Sequence, residues 1–176
     1  MRIYIVGFMG SGKSTYGAQL ASALDFGFLD LDTQIEETAG QSISSLFEDK
    51  GEEHFRKLES EELIKTATLQ NHVIATGGGT PVFNHQMEWM NDNGTTVYLR
   101  LFEGELTKRL SGDLSLRPLL KDQTEETLPE FVYNTLRERA FYYHQAQIVI
   151  DPLQMQPKEL AEMLKSEVKA EAEGEI

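Results

Sequence analysis

The sequence feature that most constrains the fold is a glycine-rich segment near the N-terminus. Residues 7–14, Gly-Phe-Met-Gly-Ser-Gly-Lys-Ser, match the pattern G-x-x-x-x-G-K-[ST]. An apolar run at 3–6 that predicts a buried strand precedes the segment, and a helical pattern over 13–24 follows it. The alternative is an ordinary glycine-rich turn, but four fixed positions match by chance about once in tens of thousands of starts. We therefore expect a nucleotide phosphate site.

The residue types in this segment suit a triphosphate. Glycines let successive backbone N–H groups face phosphate oxygens without Cβ clashes, and the N-terminus of the next helix adds positive potential. Lys13 can reach the β- and γ-phosphates, and the Ser14 hydroxyl can bind Mg²⁺. The predicted ATP-binding residues of this segment are Gly10, Ser11, Gly12, Lys13, Ser14 and Thr15.

Apolar runs alternate with helical patterns along the rest of the chain. Short apolar runs predict five strands, at residues 3–6, 28–31, 73–75, 96–101 and 148–150. Helices are predicted between and after them, at 13–24, 33–38, 42–68 with an interruption near Gly51, around 87–90, and at 106–110, 128–145 and 157–168. Strands buried on both faces and separated by helices predict a three-layer α/β/α fold with a parallel sheet. Such folds bind ligands beyond the carboxyl ends of their strands.

Composition limits the partners of the chain. It has 16 Lys and Arg against 29 Asp and Glu, a formal net charge of −13, which repels nucleic acid and anionic membranes. It has no cysteine, and its four histidines lack metal-ligand spacing. No segment approaches the ~18 apolar residues of a membrane span, and the first apolar run is too short for a signal peptide. We expect a cytoplasmic, monomeric enzyme that binds neither nucleic acid nor membrane.

An acidic residue near the metal is expected from an early strand. Many P-loop ATPases carry an Asp at the end of a later apolar strand, but residues 73–76 contain no acid, and no N-K-x-D segment typical of GTPases is present. Asp30 and Asp32 follow the second strand. Two residues apart on an extended chain, their carboxylates point the same way, so that one supports Mg²⁺ and the other orients an acceptor hydroxyl. A helix N-cap fits Asp32 equally well.

Further motifs follow in order along the chain. They are the triple glycine Gly77-Gly78-Gly79, the segments Phe55-Arg56-Lys57-Leu58-Glu59 and Arg117-Pro118-Leu119-Leu120, and Arg139 followed by Tyr142 and Tyr143. Together with the glycine-rich segment and the Asp pair, they resemble the shikimate kinase family through about residue 164. The resemblance implies a P-loop NTPase fold, similar to nucleoside monophosphate kinases, in one domain over 1–168. It also implies a substrate-binding helical region at about 32–62 and a mobile lid at about 111–123. The charge and terminal position of residues 169–176 predict a disordered tail.

The resemblance also implies a reaction and its residues. ATP is the co-substrate, Mg²⁺ the cofactor, and the 3-hydroxyl of shikimate the acceptor, in a step of aromatic amino acid biosynthesis. Two guanidinium groups hold the shikimate carboxylate, Asp32 accepts from the ring hydroxyls, and two phenylalanines enclose the ring. The implied substrate-binding residues are Asp32, Phe47, Phe55, Arg56, Glu59, Gly77, Gly78, Gly79 and Arg139. The implied catalytic residues are Lys13, Asp32 and Arg117; Arg109 and Arg117 join the ATP site, and Ser14 and Asp30 are the metal ligands.

Alternatives stay open at this level. Arg139 lies among apolar positions of the 128–145 helix, which also fits an arginine with its stem packed and its head in water. Arg56 lies within one helical turn of Glu52 and Glu59, which also fits ordinary surface ion pairs. Arg117 also fits a solvated loop residue. The rival functions are a P-loop kinase acting on gluconate or a nucleotide, and a non-catalytic ATP-binding module.

Overall fold

A parallel β-sheet organises the chain. The structure is a computed structural model that describes residues 1–112, 114 and 118–173. Within these residues five strands form one sheet in the order β2-β3-β1-β4-β5. The strands are β1 (Arg2–Val6), β2 (Gly27–Asp30), β3 (His72–Ala75), β4 (Thr95–Leu99) and β5 (Ile148–Ile150). All the pairings are parallel, so the predicted five-stranded parallel sheet is confirmed.

Helices cover both faces of the sheet. They are α1 (Lys13–Leu24), α2 (Leu31–Ala39), α3 (Ile43–Lys65), α4 (Gln86–Asn93), α5 (Glu103–Leu110), α6 (Leu128–Tyr143) and α7 (Pro157–Glu173). Because successive side chains of a strand point to opposite faces, β1 contributes to two apolar cores. Ile3 and Ile5 join a core with side chains of α1 and α7, whereas Tyr4 and Val6 join a core with side chains of α2 to α6. The predicted three-layer α/β/α arrangement is therefore confirmed.

The long helical segment after α2 contains a break. Gly51 inside α3 has φ 80° and ψ 171°, which is not helical, at the interruption predicted from the sequence. A short 3-10 helix, Thr66–Thr68, then completes the segment. The break lets the two parts of α3 follow different directions around the cavity described below, and Phe47 and Phe55 from the two sides of the break contact each other with ring centroids 4.8 Å apart.

The last helix is longer than predicted. It was expected to end at 168 and to be followed by a charged tail, but α7 runs to Glu173. The difference follows from residue type, since residues 169–173, Lys-Ala-Glu-Ala-Glu, are good helix formers without a glycine or proline. Residues 174–176, the end of the predicted tail, lie outside the described residues. Of the helices described, none is long and apolar enough to cross a membrane.

Candidate active site

The glycine-rich segment forms a loop between β1 and α1. Gly10 and Gly12 have φ values of 78° and 91°, in the left-handed region that favours glycine. The Lys13 ammonium group is buried and donates to the Phe8 carbonyl at 3.0 Å, so its side chain folds back over the loop. Ser11 Oγ is buried without a hydrogen-bond partner in the described part of the chain. A helix N-terminus, an ammonium group and an unsatisfied hydroxyl therefore lie together, as an anion site requires.

The remaining predicted ATP residues lie around this loop. Ser14 and Thr15 are exposed in the first turn of α1. Arg109, in the last turn of α5, donates to the carbonyls of Gly10 at 3.4 Å and Ser11 at 3.5 Å, and it pairs with Glu105 at 3.0 Å. Its guanidinium group thus lies at the rim of the loop. The predicted ATP contact Arg117 lies outside the described residues.

The two aspartates where β2 ends and α2 begins have different environments. Asp30 is the N-cap of α2, and its Oδ1 accepts from the backbone N–H groups of Asp32 at 3.1 Å and Thr33 at 3.4 Å. The predicted strand end was therefore wrong, because the cap starts the helix at Leu31 and places Asp32 in its first turn. The expectation of an extended chain with parallel carboxylates does not hold. An aspartate does cap the N-terminus of this helix, but the cap is Asp30 and not Asp32, as the alternative had it.

The carboxyl group of Asp32 is electrostatically perturbed. Burial is the largest cause, and it raises the pKa of Asp32 to about 6. The Lys13 charge acts in the opposite direction, while the carboxylates of Asp30, Glu59 and Glu36 raise the pKa further. A carboxyl group that ionises near neutrality in a cleft has the properties expected of a general base.

This raised pKa predicts a pH-dependent effect on stability. A folded-state pKa above the unfolded value stabilises the fold fully below pH 3.8, and this contribution disappears as the pH rises through about 6. Asparagine mimics the neutral carboxyl at every pH. We expect the ligand-free Asp32→Asn variant to be about 2 kcal/mol more stable than the wild type at pH 8, with most of the difference gone at pH 4.

Urea unfolding of both proteins at the two pH values measures this difference. Asp49→Asn, at an exposed position of α3, is the matched control and should show little pH-dependent gain. An Asp32→Asn variant that is equally stable relative to wild type at both pH values contradicts the raised pKa.

A cavity lies next to the loop, beyond the carboxyl ends of β2 and β3. Its volume is about 280 Å³, which is close to the lower limit of about 300 Å³ for drug-sized ligands and suits a small metabolite. All nine predicted substrate-binding residues line it. They are Asp32, Phe47, Phe55, Arg56, Glu59, Gly77, Gly78, Gly79 and Arg139. Met9, in the glycine-rich loop, also lines the cavity, so the loop and the cavity share a wall.

Arg56 is held rigidly in the cavity wall. Its Nη1 donates to Glu59 at 2.8 Å, and its Nη2 and Nε donate to Glu52 at 3.0 and 3.2 Å. The guanidinium plane also lies over the rings of Phe83, at 4.3 Å, and Phe55, at 5.0 Å. The ion pairs considered as an alternative are present; the pair with Glu52 has an exposed carboxylate, whereas the pair with Glu59 is buried. Arg56 is 8% exposed and Glu59 0% exposed, so the pairs orient a buried cation.

Arg139 reaches the same cavity from α6. Its Nη1 is buried and has no hydrogen-bond partner within residues 1–112, 114 and 118–173. The guanidinium lies 5.8 Å from the centroid of the Phe8 ring, and its charge lowers the otherwise raised pKa of Tyr143. A buried cationic donor without a partner is costly, and a bound anion would satisfy it. The alternative of a head group in water therefore does not describe this Nη1.

Some residues of the site had no role assigned to them from the sequence. Tyr143 is fully buried, and its hydroxyl donates to the Gly78 carbonyl at 2.6 Å. Glu36 lines the cavity and accepts from the Ile43 N–H at 2.9 Å, which joins α2 to α3. Both were detectable in principle, because Tyr143 follows Arg139, and Glu36 follows Asp32, by four residues on a helix. No local pattern pointed to Thr80, which bonds the buried Glu59 carboxylate.

Comparison with known proteins identifies close relatives. A protein-family model described as shikimate kinase matches residues 9–169. The chain is 41% identical over 170 residues to a shikimate kinase of Azobacteroides pseudotrichonymphae, covering 95% of this chain and 99% of the relative. A crystal structure of shikimate kinase from Bacteroides thetaiotaomicron has 36% identity and a TM-score of 0.85, covering 96% of this chain and 98% of the other. Shikimate kinase from Acinetobacter baumannii, solved in complex with shikimate, has 32% identity and a TM-score of 0.84, covering 97% and 93%.

Proposed function

Because the chain belongs to the shikimate kinase family, we propose that it transfers the γ-phosphoryl group of ATP to the 3-hydroxyl of shikimate, giving shikimate 3-phosphate and ADP. The observation that carries this proposal is the single cavity that brings Asp32, Arg56 and Arg139 together beside the P-loop. Shikimate is a ring with one carboxylate and three hydroxyls. A cavity with two guanidiniums and an acidic acceptor complements those groups.

The two arginines are the proposed carboxylate site. A guanidinium has five N–H groups, and Glu52 and Glu59 occupy three of those of Arg56. The other two, one on each terminal nitrogen, have no partner in the described chain and match the two oxygens of a carboxylate. The buried Nη1 of Arg139 supplies a further donor. Phe47 and Phe55 enclose the ring, and the triple glycine allows the backbone to approach it closely.

The transfer step requires little covalent work from the protein. The 3-hydroxyl oxygen forms a bond to the γ-phosphorus, the bond between that phosphorus and the β–γ bridging oxygen breaks, and ADP leaves. We assign Lys13 the stabilisation of charge on the transferred group. Asp32 orients the hydroxyl and accepts its proton, which its raised pKa favours near neutral pH. Positioning and charge stabilisation then account for most of the acceleration.

Mg²⁺ fits the donors around the P-loop. In nucleotide sites this ion usually takes one or two protein ligands together with phosphate oxygens and water. The described residues contain no cluster of three or more His, Cys, Asp and Glu side chains that could hold a metal alone. The exposed Ser14 hydroxyl and the Asp30 carboxyl oxygen that does not cap α2 are the proposed ligands. The ion would neutralise phosphate charge there.

The lid remains part of the proposal. Arg117, outside the described residues, is the proposed phosphate contact of the lid, supported by the residues that follow it. Leu119 lines the cavity, Leu120 is fully buried, and Lys121 pairs with Glu48 of α3. The chain just after Arg117 therefore lies against the substrate region. A closed lid would exclude water and favour transfer over hydrolysis.

An ADP-release assay tests the proposed function. We expect strong shikimate-dependent ADP release and almost none with gluconate or AMP as the acceptor. A ligand of the wrong shape would leave polar groups of the cavity without partners. The loss of those hydrogen bonds lowers kcat/KM for that ligand by orders of magnitude. Turnover with gluconate or AMP that matches the shikimate rate would identify a different kinase. ATP binding without ADP release for any acceptor would favour a non-catalytic module.

We also propose that the enzyme acts as a cytoplasmic monomer. ATP is available in that compartment. Analytical ultracentrifugation measures the oligomeric state directly.

A further inference from the structure

A buried carboxylate, that of Glu59, lies at the cavity wall and pairs with Arg56. Glu59 is 0% exposed, and each of its oxygens has one partner. Oε2 accepts from Arg56 Nη1 at 2.8 Å, and Oε1 accepts from the Thr80 hydroxyl at 2.6 Å. A buried charge is stabilised mainly by its hydrogen bonds. The loss of one partner would therefore change the position of the carboxylate.

Thr80 joins this carboxylate to the glycine loop of the cavity. It directly follows Gly79, and its N–H donates to the Gly77 carbonyl at 3.2 Å. A Cβ on Gly77 would lie 2.8 Å from Glu59 Oε1 and 3.0 Å from Thr80 Oγ1, and a Cβ on Gly79 would lie 2.6 Å from Arg56 Nη2. The loop, the carboxylate and the guanidinium are thus packed closely together.

We infer that Thr80 is a positioning residue for substrate binding, and this inference rests on the proposed shikimate kinase function. Its hydroxyl holds Glu59 so that Oε2 faces Arg56, and Glu59 in turn aims the two unoccupied N–H groups of Arg56 into the cavity. Thr80 itself does not line the cavity. Its effect on the substrate therefore passes through Glu59 and Arg56.

Substitution of Thr80 should affect the two substrates unequally. We expect Thr80→Val and Thr80→Ala to raise the KM for shikimate by about tenfold to a hundredfold, because a charged acceptor loses its donor. The KM for ATP should change by less than about twofold, since the hydroxyl of Thr80 bonds to Glu59 and not to the glycine-rich loop in the described chain. Thr80→Ser keeps the hydroxyl and should restore a nearly normal KM for shikimate.

Thr66→Val is the matched control. Thr66 is also buried, and its hydroxyl bonds to Tyr4 and to the Leu63 carbonyl, but it does not line the cavity. Thermal unfolding is measured for every variant. The ADP-release assay gives the KM for both substrates. We expect Thr66→Val to lower stability without changing the KM for shikimate, which separates a positioning role from a structural one.

The outcomes are distinguishable. An active wild type whose shikimate KM is unchanged by Thr80→Ala and Thr80→Val overturns the role of Thr80 alone. So does a folded Thr80→Ser variant whose shikimate KM rises as much as that of Thr80→Ala, which decides the question even if the valine variant fails to fold. A wild type without shikimate-dependent ADP release overturns the proposed function, and this inference with it.

Discussion

Replacing Asp32 with asparagine is expected to lower kcat for shikimate phosphorylation by about 10²- to 10⁴-fold. Asparagine keeps the size and the hydrogen-bonding capacity of the side chain but cannot take the proton of the attacking hydroxyl. Because Asp30, and not Asp32, caps α2, the helix start should be preserved in the variant. Steady-state kinetics with saturating ATP and shikimate measures the loss.

Two further measurements show whether a loss of kcat comes from the Asp32 carboxylate itself. The affinity for ATP, measured by calorimetry without shikimate, should be largely unchanged, because the glycine-rich loop that would bind the phosphates is unaltered. Asp49→Asn, the same chemical change at an exposed site of α3, should leave kcat unchanged. A kcat near the wild-type value in Asp32→Asn would refute the assignment of Asp32 as the acceptor of the hydroxyl proton.

Replacing Arg139 with methionine is expected to raise the KM for shikimate by about a hundredfold. The substitution keeps the apolar stem but removes a half-buried cation whose buried Nη1 has no partner in the described chain. Without that charge, the shikimate carboxylate would be buried with one guanidinium instead of two. The KM for ATP should change little, since Arg139 lines the cavity and is not part of the glycine-rich loop.

Arg139→Lys and Arg137→Met complete this experiment. Lysine retains the charge but not the planar fork of donors, so we expect an intermediate KM for shikimate. Arg137 is exposed on the same helix, and its removal should leave both KM values unchanged. If Arg139→Met binds shikimate as the wild type does, the proposed carboxylate site is wrong.

Much of the fold was predictable because the signals are local. The strand before the glycine-rich loop, the α1 helix and the interruption at Gly51 follow from short patterns of apolar residues and glycines. Helix ends were less predictable where more than one residue could start or stop the helix. The start of α2 depends on which of two nearby aspartates caps it, and the end of α7 depends on helix propensity beyond the last apolar position.

For the candidate site, the residue identities were predictable from the sequence, but their burial was not. Asp32, Arg56 and Arg139 were predicted as site residues because their chemistry and their motifs occur together in a family pattern. Whether Arg56 is a surface or a buried ion pair could not be predicted, because the same spacing to Glu52 and Glu59 fits both. Burial by the neighbouring glycine loop and Phe83 decided it.

The sequence by itself determined a parallel α/β fold, a phosphate-binding loop and its attached helix, since each depends on residues adjacent along the chain. Only the tertiary structure decided that a hydroxyl 21 residues from Glu59 completes its hydrogen bonds, and that a tyrosine 65 residues from Gly78 holds its carbonyl. Such contacts arise where elements distant in sequence pack together, and the burial that gives them their strength exists only in the folded chain.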